Sequence, residues 1–338
     1  MATNRHFIAW WNLENLFDVQ NAPGRIPWLQ KELKRYLQGW TGEVLDQKLT
    51  NLSGIIRRLN EGKGPDLMGF CEIENRNVIE MLVSKLNDLG RDYDIIHKEM
   101  SDQRGIDIAF IYDRAHFILS PDPVFSLEVM KRTATRDLLQ VTFTTKEKKN
   151  ELIIIGNHWP SRSGGQYESE PFRMMVGENL SYWLRRIAEI KGETAPILVM
   201  GDFNDEPFNR SLTEYAMSLD SSIKLSHARK PTADSHITVR IPYLLNLMWK
   251  FLGEGKSTFV FNGSGNVLDQ FLVNRAIALK TIEHHFKVDA VEIVDDLPQL
   301  VKGEYKTPVK FGAPSKETEY NPAGYSDHLP ITITLIEK

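Results

Sequence analysis

Short apolar runs recur along the chain, many of them bounded by turn residues: Phe7–Trp11, Leu67–Phe70, Ile106–Tyr112, Leu138–Phe143, Leu152–Ile155, Ile197–Met200, Val267–Val273 and Ile331–Ile336. Their length and β-branching predict strands. Between them, apolar residues fall at helical spacing. Leu49, Leu52, Ile55, Ile56 and Leu59 follow i, i+3, i+4 steps, and so do Val78, Met81, Leu82, Leu86 and Leu89. The longest stripe runs through Phe172, Met175, Val176, Leu180, Trp183, Leu184, Ile187 and Ile190. These stripes read as the core-facing sides of amphipathic helices. Strands outnumber helices, and few fit strict βαβ alternation. The pattern therefore predicts an α+β layered sandwich.

Three stretches interrupt the pattern: 21–41 with Pro23, Gly24, Pro27 and Gly39; 229–265 with a helical middle around Tyr243–Leu252; and 301–325, rich in Gly, Pro and Tyr. They read as insertions into one domain spanning 1–338, suited to tuning substrate access more than to building the core. No internal repeat, low-complexity tract or linker divides the chain. Of the 338 residues, 41% are hydrophobic and 25% charged, close to globular averages, so a sizeable core is expected. No apolar run approaches the ~18 residues of a membrane span. The chain runs from its first residues straight into Phe7-Ile8-Ala9 with no long leader-like apolar region, so a cytoplasmic setting is expected. The single cysteine, Cys71, excludes an internal disulfide framework and a cysteine zinc site. Lys and Arg total 41 against 45 Asp and Glu, a net charge of −4. That excludes a basic nucleic-acid coat but allows a local basic groove, or carboxylates gathered around a cation.

Polar residues with catalytic potential lie at the ends of the apolar runs. Asn12, Glu14 and Asn15 close the first; Cys71, Glu72 and Glu74 close the second; Asp107 opens another. Asn157-His158-Trp159-Pro160, Gly201-Asp202-Phe203-Asn204-Asp205, Leu268-Asp269-Gln270 and Ser326-Asp327-His328 follow. Each has a plain structural reading alone. Asp202 and Asn204 suit an Asx turn, Ser326 and Asp327 a cap, Glu72 a solvated strand end, and His158 a core histidine. The ordered set is harder to explain by structure alone.

That order resembles the endonuclease/exonuclease/phosphatase superfamily with the DNase-I-like fold. The resemblance runs from Asn12 to His328, and Gly-Asp-Phe-Asn and the terminal Ser-Asp-His are its most specific marks. Trp11 to Asp18, Asn157 to Arg162 and Leu268-Asp269-Gln270 look like a bacterial branch of it. The resemblance implies a four-layer α/β/β/α sandwich and a divalent-metal phosphodiesterase. Hydrolysis of such esters needs a cation to neutralise developing charge, a base for water and groups that stabilise the leaving oxygen. Oxygen ligands without cysteine suit Mg²⁺ or Mn²⁺.

By the same resemblance Glu72 is the main metal ligand, with Asp327 and Asn12 near the metal. Asn204 contacts phosphate or a second cation, and Asp202 orients or deprotonates water. His328 touches the scissile phosphate, oriented by Asp269. His158 pairs with Asp107 on the leaving-group side. The superfamily commonly has Gln before the metal-binding Glu; here Cys71 stands there and reads as a small buried residue. Whether Asp202 or His328 is the base stays open.

Other motifs close off. Gly253 to Thr258 resembles the end of a P-loop, but Lys250 stands where its first glycine belongs. There is no Gly-x-Ser-x-Gly elbow, and His284-His285 lack carboxylate spacing. A nuclease acting on nucleic acid, DNA favoured, is the leading expectation. Arg162 and Arg173 are its phosphate-contact candidates; Trp40, Trp159, Tyr243 and Trp249 are stacking candidates. The alternatives are a phosphomonoesterase, a phospholipid-headgroup phosphodiesterase, or a binding module that has lost catalysis. No protein partner is implied.

Overall fold

Strand-forming segments pair into two large sheets. The computed structural model describes residues 4–338 apart from 103, 130–135, 229–241, 280–284 and 314–319. The strands are β1 Asn4–Leu16, β2 Leu67–Ile73, β3 Tyr93–His97, β4 Asp107–Asp113, β5 Phe117–Leu127, β6 Leu138–Thr145, β7 Glu151–His158 and β8 Ile197–Asp202. They continue with β9 Ser218–Leu219, β10 Leu244–Asn246, β11 Phe259–Phe261, β12 Ser264–Asn266, β13 Asp269–Val273, β14 Phe286–Ile293, β15 Val301–Lys302, β16 Thr307–Pro308 and β17 Ile331–Glu337. One sheet has the order β14-β17-β1-β2-β4-β3, the other β5-β6-β7-β8-β13-β10-β9. β11 pairs with β12, and β15 with β16.

The two-residue period of a strand assigns its faces. In β7, Leu152 and Ile154 enter the core shared by the two sheets. Ile153 and Ile155 instead pack with Val176, Leu180, Leu184 and Ile187 of the helix Gln166–Lys191. The helices Gly42–Ile56 and Arg76–Ser84 cover the other sheet and bury Leu45, Leu49, Leu52, Val78 and Leu82. The result is the expected four-layer α+β sandwich. The sheets approach so closely that a Cβ on Gly156 would lie 2.8 Å from Phe110, and one on Gly69 would lie 2.9 Å from Met200.

The fold departs from the sequence expectation in particular places. β5 carries Pro121 and Pro123, which demote a strand pattern, and its pairing with β6 shifts register between Leu119 and Val124. Segment 21–41 builds core: Leu29, Leu33, Leu37 and Trp40 are buried. The helical middle expected at Tyr243–Leu252 divides into β10 and a short helix, Trp249–Gly253. Leu245 and Asn246 are captured as a strand by β13, and the Asn246 side chain accepts from the Met248 amide to turn the chain. His284 lies outside the described residues. Among those described, no helix is long and apolar enough to cross a membrane.

Candidate active site

Strand register gathers the polar run-ends on one edge. β7 and β8 are parallel with His158 opposite Asp202; β8 and β13 are antiparallel with Asp202 opposite Asp269. In the other sheet Asn12 stands opposite Cys71, and Ile73 opposite Asp107. Here both ladders slip, between Asn12 and Leu16 and between Cys71 and Ile73. The slips hold Glu14, Asn15 and Glu72 at φ of 51°, 56° and 61°. Left-handed backbone is uncommon for residues with a Cβ and concentrates at functional sites. The bulges have a use: the Asn15 amide donates to Glu72 Oε2 at 2.9 Å.

Asp202 is the hub. Asn12 Nδ2 donates to its Oδ2 at 3.1 Å, the Asn204 amide to its Oδ1 at 2.9 Å and Asn204 Nδ2 to its Oδ2 at 3.2 Å. His158 Nε2 and His328 Nε2 lie 3.8 and 3.9 Å from Asp202 Oδ2. Burial, with Asp269 and Glu72 nearby, raises the Asp202 carboxyl to about 6. His328 Nδ1 sits 2.6 Å from Asp269 Oδ2. Burial opposes charge on that imidazole, yet the carboxylates of Asp269 and Asp202 outweigh it and raise His328 well above its usual range. His158 goes the other way: burial first, then Arg136 and Arg104, push it well below. The site thus pushes two histidines in opposite directions beside one carboxylate oxygen.

Several expected roles meet different partners. His158 does not pair with Asp107. The Asp107 carboxylate is taken by His97 Nε2 at 2.9 Å and the Met100 amide at 3.0 Å, because β3 lies beside β4 and brings His97 to it. His158 Nε2 instead faces Glu72 Oε1 at 3.6 Å and Arg136 Nη2 at 3.4 Å. Asn12 is tied to Asp202 and, through Oδ1, to the Glu14 amide. Asn204 also bonds the Trp159 carbonyl.

Arg173 is fully buried. It pairs with Asp205 at 2.8 Å and donates to Ser169 Oγ and the Gln166 carbonyl, so it is a brace and not a phosphate contact. Arg162 spends its donors on the Asn204 carbonyl, Asp205, Asn209 and Asn266. Trp40 and Trp159 are buried and offer no stacking face.

The sequence reading missed Arg104, Arg136 and Lys48. Arg136 is buried beside His158, and its Nε has no hydrogen-bond partner among the described residues. It opens the run Leu138–Phe143 just as the other candidates end theirs, which was the available signal. Arg104 donates to Asn15 Oδ1 and reaches within 3.7 Å of Glu72 Oε1. Lys48 interrupts the apolar face of its helix between Leu45 and Leu49, and a polar residue on a core face is itself a signal.

The donor set fits a hard cation. Burial and mutual repulsion raise Asp327, with Glu72 and Asp202 as its negative neighbours. Burial and then Asp327 raise Glu14 to about 7. Such crowding of carboxylates is what a divalent ion relieves. Among the described residues, ligand atoms of Asp202, Asp269 and His328 lie within 4.8 Å of one another, as do those of Cys71, His158 and Asp202. Burial pushes the Cys71 thiol well above its usual range, so it stays protonated and is a poor metal ligand.

A sequence profile of the endonuclease/exonuclease/phosphatase family matches residues 7–338. The chain belongs to this family. A search of curated protein sequences finds no match. Among solved structures it is similar to the human Nocturnin catalytic domain, with a TM-score of 0.56, 17% identity and coverage of 99% of this chain and 94% of that one. A humanized D. rerio TDP2 gives 0.57 at 13% identity, with 98% of each chain covered. The Bacteroides thetaiotaomicron mannosyl-6-phosphatase gives 0.55 at 15%, covering 98% and 99%. At such identities the likeness speaks for the family fold, whose members hydrolyse phosphoric esters.

Proposed function

We propose that this protein is a divalent-cation-dependent phosphodiesterase, with Mg²⁺ or Mn²⁺ as its ion and nucleic acid, DNA first, as its substrate. The observation that carries the reading is the convergence of Glu72, His158, Asp202 and the Asp269–His328 pair on one edge of the two sheets, with Asp269 Oδ2 2.6 Å from His328 Nδ1 and both imidazoles within 4 Å of Asp202 Oδ2. Glu72 and Asp327 would hold the ion, and a cation there would supply neutralisation of charge on the phosphoryl oxygens. Charged His328, fixed by Asp269, donates to a non-bridging oxygen. Asp202 orients the attacking water and can accept its proton. His158 faces the leaving oxygen, and Arg136 beside His158 and Arg104 beside Glu72, not Arg162 or Arg173, are the guanidinium groups for the phosphate.

A phosphomonoesterase is the second reading. It is favoured by the burial of Arg173 and the engagement of Arg162 in protein contacts, which leaves fewer cations to follow a nucleic-acid backbone. The test is a panel of supercoiled plasmid, single-stranded DNA, RNA, bis-p-nitrophenyl phosphate and p-nitrophenyl phosphate, each with Mg²⁺, Mn²⁺ or chelator. Metal-dependent plasmid nicking supports the first reading. Turnover of the monoester alone supports the second. Turnover of none, or full turnover in chelator, overturns both.

A further inference from the structure

Lys48 is a buried cation without a role in the chemistry above. It lies in the helix Gly42–Ile56 among Leu45, Leu49 and Leu52 and is fully buried. An ammonium there is costly unless charge and donors are met. It lies 5.7 Å from the Trp40 ring centroid and 5.3 Å from that of Phe311, and donates to the Glu14 main-chain carbonyl. Burial lowers its pKa, and the carboxylates of Glu14, Asp327 and Glu72 work against that to keep it charged.

The bonded carbonyl belongs to the left-handed pair Glu14 and Asn15, and the Asn15 amide is the donor that holds Glu72 Oε2. The Glu14 carboxylate accepts from the amides of Phe311 and Gly312 at 2.9 and 3.2 Å. On the same helix Asn51 donates to the carbonyls of Pro322 and Gly324 at 2.8 and 2.7 Å, just before Asp327. One helix therefore fastens the backbone behind both proposed ion-holding carboxylates, and Lys48 is its charged member.

We infer that Lys48 is a positioning residue for the cation centre. It fixes the turn that aims Glu72, and it offsets the charge of Glu72 and Asp327 before a cation arrives. This rests on the reading that Glu72 and Asp327 hold the ion.

The test compares wild type, Lys48→Gln and Lys48→Met by thermal unfolding in chelator and in Mg²⁺, with Mn²⁺ binding followed by electron paramagnetic resonance. Gln keeps a donor for the Glu14 carbonyl and removes only the charge, so it carries the test if Met fails to fold. Both variants should melt lower in chelator. The Mg²⁺-induced gain in Tm of Lys48→Gln should exceed the wild-type gain by about 2 °C or more, because the ion then supplies the missing offset, and the gain of Lys48→Met, which also loses the bond to the turn that aims Glu72, should fall below that of Gln. kcat should fall at saturating Mg²⁺. Equal gains in all the proteins would mean a purely structural lysine and overturn the inference. Gln matching wild type while Met does not would overturn the charge role. No gain and no Mn²⁺ binding in wild type would overturn the cation reading itself, and the positioning role with it.

Discussion

Asp269 holds the Nδ1 edge of His328 at 2.6 Å and is itself held, with Trp10 Nε1 on its other oxygen at 3.3 Å and its amide on Thr258 Oγ1 at 3.1 Å. A carboxylate fixed this way orients the ring and favours its charged form. His328→Ala is expected to cost at least about 10²-fold in kcat/KM. Asp269→Asn should reproduce most of that loss, and the double change should add little, because both remove one unit. Fully multiplicative losses in steady-state assays would break the link.

Asp107 and His97 form their own pair, so a catalytic role of His158 is expected not to run through Asp107. His158→Ala should cost about 10²-fold or more in rate. Asp107→Asn should cost far less, and the two effects should multiply, as for sites that share no bond. A double-mutant cycle showing strong coupling would restore the His158–Asp107 pairing.

Why the sequence led to Asp107 is instructive. Its position at the start of a strand was legible, as were the layered sandwich, the long helix and the run-end carboxylates. Pairing across β3 was not, because β3 is a short strand whose apolar signal is only Ile95 and Ile96. The bulges at Glu14, Asn15 and Glu72 were also hidden, since none is a glycine that would announce a left-handed turn. Arg162 and Arg173 looked like phosphate contacts because sequence shows charge but not the partner that consumes it. Asp205, only one residue past the conspicuous Asn204, consumes both.

Arg173 and Asp205 make a buried pair at 2.8 Å with both side chains nearly inaccessible. Removing one member leaves the other charge unpaired, typically a loss of 3–5 kcal/mol, here taken as about 4. Arg173→Met should therefore lower unfolding free energy in urea by that order, while leaving the salt dependence of DNA binding unchanged. Arg162→Ala should act through the Asn204 carbonyl it braces and lower kcat more than it raises KM. A drop in the salt slope of DNA binding for either variant would return these arginines to the substrate surface.

Glu337 gives the acid limb of stability. It lies in β17, fully buried, and accepts from His6 Nε2 at 3.0 Å, Asn4 Nδ2 at 3.0 Å, Thr145 Oγ1 at 2.6 Å and Asn150 Nδ2 at 2.9 Å. Burial alone would raise its pKa, but the bonds from His6, Thr145 and Asn150 outweigh that and lower it from 4.5 to about 2. A carboxyl depressed in the folded state binds protons more readily when unfolded. Its stabilisation is therefore complete above the unfolded value and is lost as pH falls toward the folded one. The contribution is up to roughly 3 kcal/mol. Urea unfolding of wild type and Glu337→Gln should differ most near neutral pH. The gap should begin to close below about pH 5 and shrink by roughly 3 kcal/mol by about pH 2. A gap that stays constant across that range would mean that Glu337 does not carry the depressed pKa its bonds imply.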